Sequence, residues 1–199
     1  MRPNYAAWIG LCIVAALAML AEKYFSYFPG DVAAERWVQS LVPPNLNWAE
    51  AVSRLAEFPS LLLIMALIFA LSWVLAGWRV ALLSILSLVG MWVLGAVLGP
   101  IIARPRPSPE LVHVLRPLTG SSFPSLFALR LAATFGFLAV LVLEKTSGAL
   151  RPVLLTVCGA LLILGFVARV ALAAHWPSDV ILSYYLGLLW ATFLLRFLP

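Results

Sequence analysis

Six apolar stretches decide what this chain can fold into. Residues 6–21, 60–77, 80–98, 126–143, 153–167 and 180–197 each approach the roughly 20 mostly apolar residues that cross a bilayer as a helix. Lipid gives the backbone no hydrogen-bond partner, so such stretches span as helices, whose bonds are internal. The expected fold is an all-α integral membrane bundle of six transmembrane helices, in one domain over residues 1–199. Composition agrees. The chain is 64% hydrophobic and 11% charged, where a soluble domain would be roughly 45–50% apolar and about a quarter charged. Residues 1–21 also imitate a signal peptide, with Arg2 before the apolar run; we read them as the first membrane helix.

The charges are few and scattered. A net charge of +5 is spread between apolar spans with no basic stripe, which excludes a nucleic-acid partner. Cys12 and Cys158 both sit inside apolar runs. They read as small buried apolar residues in preference to a disulfide or a metal site. No cofactor is expected.

Between the first two spans, residues 22–59 mix Asp31, Glu35, Arg36, Glu50, Arg54 and Glu57 with Trp37, Val38, Leu41, Trp48, Val52 and Leu55. The spacing of Val38 with Leu41, and of Val52 with Leu55, predicts short amphipathic helices broken at Pro43-Pro44. They would lie at the membrane surface, as a packed interfacial segment in preference to a lid over a lipid portal. A second long loop, residues 103–124, holds Arg104, Arg106, His113 and Arg116. With six spans, both loops and the loop around His175 fall on one side. Arg79, Lys145 and Arg151 fall on the other, in short loops that read as cytoplasmic by the positive-inside rule. The long loops then face the outer side, in a bacterial plasma membrane. Trp8, Trp73, Trp78, Trp176 and Trp190 read as interface anchors, and Gly90, Gly95 and Gly99 as close helix packing.

The chemistry lies at the edges of the spans. Arg169, His175 and Asp179 stand at fixed offsets in apolar sequence, where ionisable groups must pair or act. A phosphate site needs fixed cations, helix-start N–H groups, a nucleophile and a proton donor. Arg104 and Arg169 offer forks that suit phosphate oxygens. Pro124 fits the first helical position of the fourth span, which would aim the N–H groups of Ser125 and Leu126 at an anion. The Ser125 hydroxyl would add a donor. A carboxylate such as Asp179 can hold one imidazole nitrogen protonated and leave the other free to attack. That arrangement would make His175 a nucleophile toward phosphorus, with a phosphohistidine intermediate. The structural alternative is an Arg169–Asp179 pair tying the fifth span to the sixth. Arg130 reads as a snorkelling or interhelical partner.

These residues make the chain resemble the type-2 phosphatidic acid phosphatases, a family of membrane lipid phosphatases. Its three motifs run Lys-x6-Arg-Pro, Pro-Ser-Gly-His and Ser-Arg-x5-His-x3-Asp. The third survives in Arg169, His175 and Asp179, with Ala168 for the serine; Arg104-Pro105 matches the tail of the first. Val97 then stands at the lysine, and Leu126-Phe127 replace the Gly-His of the second. The resemblance implies hydrolysis of a lipid phosphate or prenyl pyrophosphate at the outer face, without metal. It also implies that the lysine and the acid that protonates the leaving oxygen are gone, a loss of roughly 10²–10⁴ in rate for the acid alone. A pyrophosphate, with its phosphate leaving group, suffers least. His113 or Arg116 are candidate substitutes. The alternative is a non-catalytic relative that binds lipid headgroups or serves as an accessory subunit of a membrane complex. A transporter is disfavoured, because paired broken helices are missing.

Overall fold

The computed structural model describes residues 5–115 and 117–197. The helices are α1 (Tyr5–Tyr24), α2 (Asp31–Leu41), α3 (Asn47–Ser53), α4 (Ser60–Ala76), α5 (Trp78–Ile102), α6 (Leu126–Leu131), α7 (Phe137–Lys145), α8 (Leu150–Ala171) and α9 (Pro177–Phe197). A 3₁₀ turn, Arg54–Ala56, extends α3, and a π turn, Ala132–Gly136, joins α6 to α7 in one span. Five helices are long and apolar enough to cross a membrane. The bent pair Asn47–Ala56 and Ser60–Ala76, at 57°, makes a sixth candidate. The chain is an integral membrane protein, and its described residues form helices and loops only.

The α6–α7 span lies at the centre. Phe127, Leu131, Phe137, Leu138 and Leu141 pack with Ile68 of α4, Cys158 of α8 and Leu194 of α9. On its other side Leu129 and Ala133 meet Met91 of α5 and Leu182 and Leu186 of α9. Since lipid tails are as apolar as these side chains, close packing holds such helices together more than the hydrophobic effect does. Gly187 shows the requirement: a Cβ there would lie 2.4 Å from Ala132 Cβ. Gly90 and Gly95 likewise face Trp190 and Leu126 too closely for a side chain. Gly99 departs from that pattern. A Cβ there would meet nothing within 4 Å, so it borders open space.

The interfacial segment packs as expected. α2 and α3 flank the Pro43-Pro44 break, and Leu46 and Ala49 seat against Ala168 and Ala171 at the end of α8. Trp37 points away and Val38 inward, as an amphipathic helix requires. Cys12 and Cys158 are free thiols. Two tryptophans depart from the interface expectation, Trp190, which packs between helices against Gly90 and Phe193, and Trp176. Trp176 is fully buried; its indole Nε1 donates to Pro105 O at 3.1 Å and its ring meets Tyr27 at 5.4 Å. It locks the 103–124 loop onto the start of α9.

Candidate functional site

The α3–3₁₀ segment, the 103–124 loop, the start of α6 and the α8–α9 turn close over a cavity of about 590 Å³. Ser53 and Glu57 line it from the interfacial segment, Gly95 and Gly99 from α5, and Arg106 from the loop. Leu126, Phe127 and Arg130 line it from α6, Arg169 from α8 and His175 from the α8–α9 turn.

His175 reaches this wall because α8 stops at Ala171. The next residues turn through Ala173 in a left-handed conformation (φ 50°). The imidazole is buried, with Nδ1 2.5 Å from Ser122 O. A carbonyl only accepts, so Nδ1 carries the proton and Nε2 keeps its lone pair. Burial pushes the His175 pKa well below its ordinary 6.5, and the cations Arg169 and Arg106 push the same way, against the Ser122 hydrogen bond. The ring is therefore neutral at pH 7, the form a nucleophile needs.

Asp179 does not serve as the partner expected for that ring. Its carboxylate accepts from Trp176 N at 2.9 Å, capping α9, and from Ser122 Oγ and Arg104. It thus fixes Ser122, whose carbonyl in turn fixes His175. Nor is the Arg169–Asp179 pair formed, because Arg104 takes the carboxylate.

Arg104, expected to hold phosphate, is likewise elsewhere. It is buried among Glu22, Asp31 and Asp179, and also donates to Phe25 O at 3.1 Å and Ser178 Oγ at 3.0 Å. It joins the ends of α1 and α5 to the starts of α2 and α9. Arg106 lines the cavity instead, donating to Thr119 O at 3.2 Å and to Ala174 O. Burial pulls its pKa down, against the attraction of Asp179. Alternating Arg-Pro sequence favours polyproline II backbone, with three residues per turn, so side chains two apart diverge by about 120°. The two side chains do part, Arg104 into the carboxylate cluster and Arg106 into the cavity wall.

The Arg-Pro-Arg-Pro run offers the first motif a second register. Counted from Arg106-Pro107, the lysine position is Gly99, on the cavity wall, while Val97 is 52% exposed on the outside of α5. Neither is a lysine. Arg169 lines the cavity. Its Nη1 donates to Ser53 Oγ at 3.1 Å, its guanidinium lies 5.4 Å from the Phe127 ring centroid, and its buried Nε has no hydrogen-bond partner.

The helix start also differs from expectation. Helix α6 begins at Leu126, with Ser125 as its N-cap and Pro124 outside it. Ser125 N donates to Ser183 Oγ at 2.9 Å, and Ser125 Oγ accepts from Ala128 N at 3.4 Å. Both groups serve the helix end, and Ser125 is absent from the cavity lining, whereas Leu126 is on it. His113 is pinned through its backbone to Gln39 (3.2 and 2.8 Å) and borders a separate recess. Arg116 lies outside the described residues. Among those residues no cluster of three or more His, Cys, Asp or Glu is placed to hold a metal. Sequence reasoning missed Arg106 and Glu57 as lining residues; the second Arg-Pro dipeptide, with Gly99 seven residues before it, was the available signal for the first.

A family model described as the PAP2 superfamily matches residues 78–199. Among solved structures the fold is similar to the crystal structure of the first transmembrane PAP2 type phosphatidylglycerolphosphate phosphatase from Bacillus subtilis. The TM-score is 0.73 at 20% identity, covering 96% of this chain and 94% of that one. No curated protein sequence matches significantly.

Proposed function

The chain belongs to the PAP2 superfamily, and on that premise we propose that its cavity takes the phosphate end of a membrane lipid, a lipid phosphate or prenyl pyrophosphate, from the outer leaflet. The observation that carries this reading is a neutral His175 with Nε2 free, lining the same cavity as Arg106 and Arg169. The two forks would hold non-bridging oxygens and concentrate positive charge where the transferring phosphoryl group gathers negative charge. Nε2 would attack phosphorus in line with the leaving oxygen. Ser122 O would stabilise the imidazolium through Nδ1–H, and water would then hydrolyse the phosphohistidine.

Phe127 stands where the family places its proton donor, so turnover of a simple phosphomonoester is expected to fall by roughly 10²–10⁴. One observation favours a second reading, a non-catalytic relative that binds the headgroup. The Phe127 ring lies under Arg169, a contact that fixes the anion ligand and supplies no proton. Phosphate release from phosphatidate and from a prenyl pyrophosphate, with His175→Ala as control, separates the two. The enzyme reading expects slow release abolished by the variant. Release equal to that of His175→Ala on every substrate leaves the binding reading.

A further inference from the structure

Arg130 has no role in the scheme above, although it lies on the cavity wall one turn inside α6. An arginine in an apolar span is costly unless it pairs or acts. Among the described residues it forms no ion pair, and its guanidinium makes one hydrogen bond, Nη1 to Ala56 O at 2.8 Å. A guanidinium carries five N–H donors, so one carbonyl leaves most of the fork and all of the charge unmatched. A backbone carbonyl holds the group in place without neutralising it.

Its position gives that charge a use. Arg130 follows Phe127 by three residues, and residues three apart share a helix face. The Phe127 ring has Arg169 over it; Arg130 comes next along the same cavity-lining face. The cation therefore borders the place where a leaving oxygen would otherwise meet a proton donor. A fixed charge cannot replace a proton for every leaving group. An alkoxide must be protonated, water itself having a pKa of about 15.7. A phosphate leaving group has its second pKa at about 6 and departs as a stable anion, which needs only electrostatic neutralisation.

We propose that Arg130 ligates the leaving phosphate of a lipid diphosphate, supplying by fixed charge what Phe127 cannot supply as a proton, so that the site selects lipid diphosphates over lipid monophosphates. The inference rests on the phosphatase reading and narrows it. His175 Nε2 forms a bond to the terminal phosphorus as the bond from that phosphorus to the bridging oxygen breaks. The electron pair stays on the bridging oxygen, which leaves as a lipid monophosphate oxygen held by Arg130. Water then bonds to phosphorus and the P–N pair returns to Nε2. The water proton passes through Nε2 to solvent, and inorganic phosphate departs.

The test compares farnesyl diphosphate with farnesyl monophosphate, using the full chain in detergent micelles and reading phosphate release. Wild-type protein should prefer the diphosphate by at least about tenfold. Arg130→Gln should lower the diphosphate rate by roughly 10²-fold, the usual cost of a lost oxyanion ligand. It should lower the monophosphate rate by a clearly smaller factor, so that the diphosphate preference falls, and Arg130→Lys should recover part of the loss. A purely structural Arg130 would lower both rates by the same factor, together with the melting temperature, and that result overturns the proposal. So does a wild-type preference for the monophosphate, whether or not the variants fold. If wild-type protein releases phosphate from neither substrate, the catalytic reading fails alone. Binding of a farnesyl bisphosphonate against a farnesyl phosphonate then decides: tighter bisphosphonate binding that Arg130→Gln removes supports the proposal, and equal binding overturns it.

Discussion

Arg104 and Arg106 are two residues apart in one Arg-Pro-Arg-Pro run, yet they live in opposite environments. Arg104 is enclosed by the carboxylates of Glu22, Asp31 and Asp179. Arg106 is held by the neutral carbonyls of Thr119 and Ala174 and faces the cavity. The first arrangement spends the charge inside the protein; the second positions it and leaves it available to an anion. Arg169, with Ser53 and an aromatic ring, and Arg130, with a single carbonyl, follow the second pattern. In this structure the chemistry of an arginine's partners separates the cation enclosed by carboxylates from those that line the cavity.

The sharpest way to break that comparison is to remove each arginine. Arg104→Gln strands three carboxylates, two of them almost wholly enclosed, and should cost roughly 3–5 kcal/mol of stability. Arg106→Gln should change stability by less than about 1 kcal/mol while lowering lipid-phosphate affinity or turnover by roughly 10²-fold. Thermal unfolding in detergent, paired with phosphate release, reads both. Equal destabilisation by the two variants contradicts the division of roles.

The motif register offers a second contrast. Gly99 borders open space on the cavity wall, and Val97 faces outward. In a Phe127→His background, adding Gly99→Lys should raise phosphatidate hydrolysis by about 10²-fold over wild type through the returned donor and cation. Val97→Lys in the same background should add nothing, because its ammonium lies outside the cavity. A larger gain from Val97→Lys would restore the Arg104 register.

The smallest effect concerns Glu35, beside the Arg104 cluster but not paired within it. The side chain is buried, and neither carboxylate oxygen has a hydrogen-bond partner. Burial, with the nearby charges of Asp31 and Asp179, raises its pKa from 4.5 to about 9. The folded state then keeps a proton that the unfolded chain releases above pH 4.5, so stability falls as pH rises from about 4.5 toward 9. Glu35→Gln should be nearly neutral at pH 4.5 and stabilising by on the order of 2 kcal/mol at pH 8. Melting temperatures of both proteins across that range give the difference, and a gain that does not grow with pH contradicts the assignment.

Much of the architecture was legible in the residues. Six apolar stretches gave the spans to within a few residues, and Val38 with Leu41 announced the amphipathic α2, because both signals are local and periodic. His175 and Arg169 were legible through their fixed spacing across a turn. Trp176 was not, since an indole at a span boundary reads as an anchor and only the loop folded back over it buries it. Ser125 was misread for a related reason. Its N–H bonds to Ser183, 58 positions away, and no pattern near Ser125 encodes that partner.

By itself the sequence determined the membrane bundle, the family resemblance, and a histidine and an arginine flanking one turn. All follow from periodicity and short-range spacing, which a linear chain carries explicitly. The tertiary structure decided that Arg106 and not Arg104 faces the cavity, and that Ser122 and not Asp179 holds His175. It also decided that Arg130 lies on the cavity wall. Those outcomes depend on side-chain directions leaving irregular loops, and on carboxylates brought in from α1, α2 and α9. Which cation is neutralised is settled by groups distant in sequence, whose electrostatics act only once the helices have packed.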